Sequence, residues 1–255
     1  MNFKNKIKVV LVAGAAGRIG AALAEDLLKQ GYKVLAGDIN AKRLIAIKKK
    51  LKSKNIEIFA GDLTVKKNID NFISFGLKKF KKIDSVVYCS YPTSKEWGTK
   101  FEDLKENFLK EDLYKQLGVT IIFCQRIMKY FLKNKKGNLI LISSVQGVNS
   151  PKFEHYSNLN MNSPIEYSAI KSGIISISKY LSKYYRNKNI RVNCVSPGGI
   201  KGKQSNLFID RYRKSCNSKG LLLGKDISNL ILFLISEKSQ YINGQNLIID
   251  DGWTL

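Results

Sequence analysis

The chain has 255 residues, with 44 Lys and Arg against 20 Asp and Glu, for a formal net charge of +24. No run approaches the ~20 apolar residues of a bilayer span, and the lysines are scattered over amphipathic stretches as on solvated faces, so neither a membrane nor a nucleic acid is an expected partner. Cys89, Cys124, Cys194 and Cys216 lie mostly in apolar segments without paired spacing, which points to reduced thiols in a cytoplasm and to no disulfide framework or metal site.

With no linker, charge shift or internal repeat, residues 1–255 read as one domain. A basic start precedes the apolar run 9–16 as in a secretion signal, but the run is short and glycine-interrupted, and reads better as a buried strand with its turn. That strand, 8–12, runs into Ala13-Gly14-Ala15-Ala16-Gly17-Arg18-Ile19-Gly20, and a helical pattern through Leu23, Leu27 and Leu28 follows. Small residues here let the backbone approach a pyrophosphate at a helix N-terminus, where free N–H groups and the dipole favour negative charge. Gly14, Gly17, Arg18, Ile19 and Gly20 are therefore candidate dinucleotide contacts.

The second strand, 33–36, is followed by Asp38, 18 residues beyond Gly20. An acid there accepts the adenosine ribose hydroxyls and repels a 2′-phosphate, which favours NAD; Arg18 pulls toward NADP because it could meet a phosphate. After the third strand, 57–60, Asp62 and Leu63 are placed to reach the adenine edge, and Asp62 also reads as a helix N-cap. Runs 85–89, 138–142, 191–195 and 246–249 complete seven strands, with helical periodicity between them. Strict alternation predicts an α/β fold: a Rossmann-type, doubly wound, largely parallel seven-stranded sheet with helices on both faces and its ligand at the carboxyl ends of the strands.

Ser143-Ser144 closes the fifth strand, and Tyr167 and Lys171 stand four apart on the next helix, with Cβ atoms about 5–6 Å from one another. A lysine charge about 4 Å from a phenol, at an effective dielectric near 20, is worth about 4 kcal/mol, roughly 3 pKa units before desolvation is subtracted. Tyr156 is a rival phenol, but four residues beyond it stands Asn160 and no lysine. Ser163-Pro164-Ile165-Glu166 reads as an N-cap serine, a proline at the first helical position and a capping-box glutamate, which starts the helix one turn before Tyr167.

These features together resemble the short-chain dehydrogenase/reductase family over essentially the whole chain. Residues 191–199, ending Ser196-Pro197-Gly198-Gly199, are similar to its sixth strand and the Pro-Gly turn beside the nicotinamide, and 243–252 to its last strand and C-terminal turn. The resemblance implies that Tyr167 is the general acid/base, that Lys171 lowers its pKa and holds the nicotinamide ribose, and that Ser144, rather than Ser143, binds the substrate oxygen. It further implies cofactor contacts from Pro197, Gly198 and Ile200, NAD or NADP as cofactor, a substrate lobe at 199–224, and homodimers or homotetramers through helices at 112–133 and 165–186.

Several positions depart from the family pattern. Tyr88-Cys89-Ser90-Tyr91 replaces an Asn-Asn-Ala-Gly stretch, Gly118 falls where an asparagine normally serves a proton relay, and Gly199-Ile200-Lys201-Gly202 lacks the usual threonine. An insertion, 146–164, separates Ser144 from Tyr167 and is expected to form a flap over the substrate; its His155 is either a structural residue or a substrate contact. Tyr91-Pro92, Pro151-Lys152-Phe153-Glu154 and Tyr241-Ile242-Asn243-Gly244-Gln245 are similar to a branch of flagellin-modification and bacterial surface-sugar oxidoreductases, linked to nonulosonic acids or their amino-sugar precursors. The expected activity is NAD(P)-dependent interconversion of a secondary alcohol and a ketone on a sugar derivative. An anionic one would suit the basic lobe of Lys201, Lys203, Arg211, Arg213, Lys214 and Lys219. The alternative is an NAD(H)-binding scaffold or redox sensor with little activity.

Overall fold

A computed structural model describes residues 8–255; the basic start of the sequence lies outside the described residues. Seven strands, β1 (Val9–Ala13), β2 (Lys33–Asp38), β3 (Ile56–Ala60), β4 (Ser85–Tyr88), β5 (Gly137–Ile142), β6 (Ile190–Pro197) and β7 (Asn246–Ile249), form one sheet in the order β3-β2-β1-β4-β5-β6-β7. Every pairing is parallel. The strand order reverses between β1 and β4, which opens a crevice at their carboxyl ends.

Alternation along β1 explains why its sequence is apolar throughout. Val9, Leu11 and Ala13 join a core that includes Phe72, Phe123 and Ile170, from helices α3 (Lys66–Phe80), α5 (Val119–Asn134) and α6 (Ile165–Tyr184). Val10 and Val12 face the other way, onto Leu23 and Leu27 of α1 (Arg18–Lys29), Leu44 of α2 (Ala41–Leu51) and Ile227 of α8 (Gly224–Ile235). A strand buried on both faces has no polar side to show.

Helix α4 (Glu106–Asp112) continues into α5 through a wide, π-type turn, Leu113–Gly118. Gly118 closes that turn, where a Cβ would lie 3.0 Å from the Tyr114 ring. The buried amide of the turn belongs to Gln116, two residues earlier, whose side-chain oxygen and nitrogen have no hydrogen-bond partner among the described residues. Such turns widen a helix where a site needs an altered register.

The α6 start differs from its expected form. Pro164, in extended conformation, is the residue before the first helical turn, so Tyr167 is the third residue of the helix. Ser163 is engaged elsewhere: its Oγ donates to Gln146 Oε1 and fastens the end of the 146–164 segment. Glu166 is buried, its Oε2 unpartnered among the described residues, and burial raises its pKa. No capping box forms here.

Helices α1 and α8 cover one face of the sheet, and Leu27 is fully buried between them and the strands. Leu27→Ala is expected to cost about 2–5 kcal/mol of unfolding free energy in a chemical denaturation experiment, because the cavity it leaves is walled by strand and helix backbone.

Candidate active site

A cavity of about 890 Å³ runs along the carboxyl ends of the strands. At one end, Gly14 has φ +80° and its N–H donates to Gly37 O at 2.9 Å. A Cβ there would lie 2.7 Å from the Cys89 carbonyl and Ser90 nitrogen, so the turn closes against β4 only with glycine. A Cβ on Gly20 would strike the Gly14 carbonyl oxygen. No side chain caps α1: Gly17 precedes its first turn, and Gly14, Gly17, Arg18, Ile19 and Gly20 all line the cavity. Open N–H groups at an uncapped helix start, approached by backbone without side chains, fit a diphosphate.

Asp38 is fixed by two backbone donors, Ala16 N–H to Oδ2 and Asn40 N–H to Oδ1, each at 2.9 Å. Arg18 turns away from it: a Cβ on Gly202 would collide with the Arg18 guanidinium, so this side chain bridges the glycine turn to the 199–224 segment. The cation that lines the cavity beside Asp38 and Asn40 is Arg43, which the sequence reading overlooked although it sits in the first turn of the helix after Asp38. Asp62 is not an N-cap. Val65 precedes α3, while Asp62 Oδ1 accepts from the Thr64 N–H and hydroxyl, both at 2.8 Å, and shapes the loop that puts Leu63 on the cavity wall.

At the other end, Ser144 follows β5, and Tyr167 and Lys171 project from α6. Ser143 Oγ donates to the Lys171 carbonyl at 2.7 Å, which ties β5 to α6 and occupies that hydroxyl. Ser144 lies beside the Tyr167 phenol and counters part of the rise in its pKa, while its Oγ accepts from the Gln146 N–H at 3.2 Å. Lys171 is buried, and its Nζ donates to Ile142 O at 3.2 Å and lies 5.4 Å from the Tyr167 ring centroid.

These positions correct the electrostatic expectation. Burial pushes the Tyr167 phenol above its ordinary value, partly offset by the neighbouring Ser144 hydroxyl, while burial lowers Lys171 to about 8. The ammonium lies 5.4 Å from the ring centroid and makes no hydrogen bond to the hydroxyl among the described residues, so loss of solvation outweighs any attraction between them.

The 146–164 segment and the 199–224 lobe form the remaining wall. His155 lies in their shared core, not on the cavity: its Nε2 is 2.9 Å from Ser215 Oγ, and its ring packs on Phe208, Tyr212 and Trp253. Tyr156 takes a hydrogen bond from Gln146 Nε2 and packs on Phe208 of α7 (Asn206–Lys214). The Tyr212 hydroxyl accepts from Gly199 N–H at 2.6 Å and holds the turn after Pro197 and Gly198, which line the cavity with Ile200. None of the lobe's cations lines the cavity; Arg211 donates to Ser157 O and Lys219 pairs with Asp226. The wall is aromatic and amide instead, with Tyr156, Phe208, Trp253, Gln146 and Gln204.

A family model described as enoyl-(acyl carrier protein) reductase matches residues 14–254. The chain is 40% identical over 252 residues to post-translational flagellin modification protein A of Campylobacter coli, covering 97% of this chain and 98% of that protein. It is 28% identical over 260 residues to 7alpha-hydroxysteroid dehydrogenase of Bacteroides fragilis, covering 99% and 96%. A short-chain dehydrogenase from Leptospira borgpetersenii, solved with bound NAD+, superposes with a TM-score of 0.85 at 30% identity, over 98% of this chain and 93% of that one. Sheet order, glycine turn and these likenesses agree: the chain belongs to the short-chain dehydrogenase/reductase family of oxidoreductases.

Proposed function

We propose that this oxidoreductase interconverts a secondary alcohol and a ketone on a sugar or sugar-derived substrate in surface-glycan biosynthesis. The observation that carries the reaction is the convergence of Ser144, Tyr167 and Lys171 on one end of the cavity, with the uncapped start of α1 at the far end. A nicotinamide dinucleotide supplies or accepts the hydride; the α1 start, Asp38, Asp62, Leu63, Pro197, Gly198 and Ile200 would hold it, and Lys171 its ribose. Ser144 binds the substrate oxygen, and Tyr167 exchanges a proton with it. Gln116 is read as the amide in the relay position, where the sequence pointed to Gly118.

Asp38 supports NAD over NADP, and the turn of Arg18 toward Gly202 removes the argument that set it beside a 2′-phosphate. Arg43 is the remaining group that would accept one. The sugar reading is supported by the likeness to the flagellin modification protein and by a wall of aromatic faces and amides, which suits a ring with hydroxyls on its edge. A charged appendage would lie toward Lys201 and Lys203, exposed neighbours of the cavity-lining Ile200 and Gln204. Exposed, stacked Tyr180 and Tyr184 support pairing of two copies through α6, and four free cysteines support a cytoplasmic setting.

Tyr167→Phe is expected to lower kcat by roughly 10²–10⁴-fold with NADH affinity retained, read by stopped-flow oxidation of NADH against a panel of keto-sugars; wild-type protein that binds NADH and oxidises it with no member would favour the sensor reading. Asp38→Ala is expected to narrow the kcat/KM preference for NAD over NADP by roughly 10-fold or more, since a carboxylate contact is worth about 1.5–3 kcal/mol. For ketone reduction, kcat/KM is expected to hold near neutrality, where the phenol is protonated and the ammonium charged, and to fall as pH rises through about 8 and Lys171 loses its proton.

A further inference from the structure

Two aromatic rings meet around the Tyr167 phenol of α6. Tyr91 lies edge-on to Tyr167, with centroids 5.7 Å apart and planes at 75°. Trp97 is T-shaped to both, at 5.6 Å from Tyr91 and 5.9 Å from Tyr167. Lys171 Nζ lies 5.3 Å from the Tyr91 centroid and 5.4 Å from that of Tyr167, between two ring faces. Its one hydrogen bond among the described residues goes to the Ile142 carbonyl, and no carboxylate pairs with it there. A buried ammonium without a counter-ion is costly, and an aromatic face is among the few neutral groups that attract it, more strongly as water is removed.

The segment that carries Tyr91 is anchored. Ser94 N–H and Oγ donate to the two oxygens of Asp112, both at 2.7 Å, and Asp112 is buried at the last position of α4, beside the wide turn. Tyr91, three residues before Ser94, lines the cavity and stays half-exposed, outside the buried core.

We propose that Tyr91 is a positioning residue: its ring face keeps the Lys171 ammonium charged between two phenols while its edge fixes the Tyr167 ring, and the Ser94–Asp112 latch holds it in place. The proposal rests on the reading of Tyr167 and Lys171 as the acid/base pair. The other titratable groups facing this cluster are Cys89 at the end of β4, Cys194 in β6 and Tyr156 in the flap, with Asp112 and Glu166 facing Tyr91. Burial pushes both thiols up to about 12, and it raises Tyr156, so none of these three sets an alkaline limb near 8.

The test compares Tyr91→Phe, which keeps the ring, with Tyr91→Leu, which removes the ring but keeps apolar volume and excludes water. In Tyr91→Leu the alkaline limb of kcat/KM for ketone reduction is expected about one pH unit lower than in the wild type, since the charged form of Lys171 loses its ring face; Tyr91→Phe is expected to leave it in place. An NMR titration of the Lys171 side chain in cofactor-free protein, assigned by its loss in Lys171→Arg, should show the same displacement. A uniform fall in rate with the limb and the NMR titration unmoved would overturn the proposal. Failure of the underlying reading looks different: Tyr167→Phe would then keep its turnover.

Discussion

The site depends on one buried ammonium. Lys171, almost wholly buried at the cavity wall, is held by contributions from separate parts of the fold: the Ile142 carbonyl at the end of β5, the Ser143 hydroxyl on its own carbonyl, and ring faces from Tyr91 and Tyr167. Each of these stands where it does because parallel strands end in register along one edge of the sheet. Burial then drives the phenol toward its protonated form and the ammonium toward loss of its proton, opposite to the effect of simple proximity. The pair is thus poised by competition between desolvation and local contacts, and any group that alters either sets the working range.

The two ends of the cavity are built by different means. At the dinucleotide end the determinants are backbone: an uncapped helix start, two glycines where a Cβ would collide, and a carboxylate steered by two N–H groups. At the substrate end they are side chains carried by the 146–164 segment and the 199–224 lobe, interlocked through His155, Phe208, Tyr212 and Trp253. Backbone geometry tolerates little change, whereas an aromatic wall can be recut by substitution. One fold can therefore hold its cofactor chemistry constant while its substrate varies.

What was legible in the chain follows the same division. All seven strands were readable within a few residues, most plainly β1, β4 and β5, where burial on both faces leaves an apolar run, and the glycine turn was readable because only small residues fit it. The misreadings fall where a side chain serves a distant partner. Ser163 has the residue type and spacing of an N-cap, but its hydroxyl goes to Gln146 across the flap. Asp62 holds Thr64 rather than a helix. The buried, unpartnered Gln116 amide went unremarked beside Gly118 because it sits in a π-type turn whose form a sequence pattern does not announce. Tyr167 and Lys171 do share one face of α6 at the cavity, yet the sign of their electrostatic outcome depends on desolvation that spacing alone does not show.

The charge of +24 has little part in the cavity's substrate wall. The cavity takes only Arg18, Arg43, Lys115 and Lys171 from this large excess, and Lys115 is already paired with Glu111. Of the lobe cations assigned to substrate, none lines the cavity; Arg211 goes to a flap carbonyl and Lys219 to a neighbouring carboxylate. Excess positive charge therefore acts on an anionic ligand as a long-range field, screened over about 10 Å at 0.1 M salt. It would raise the encounter rate with a dinucleotide or a charged sugar alike, whereas discrimination between substrates falls to the rings and amides that touch them.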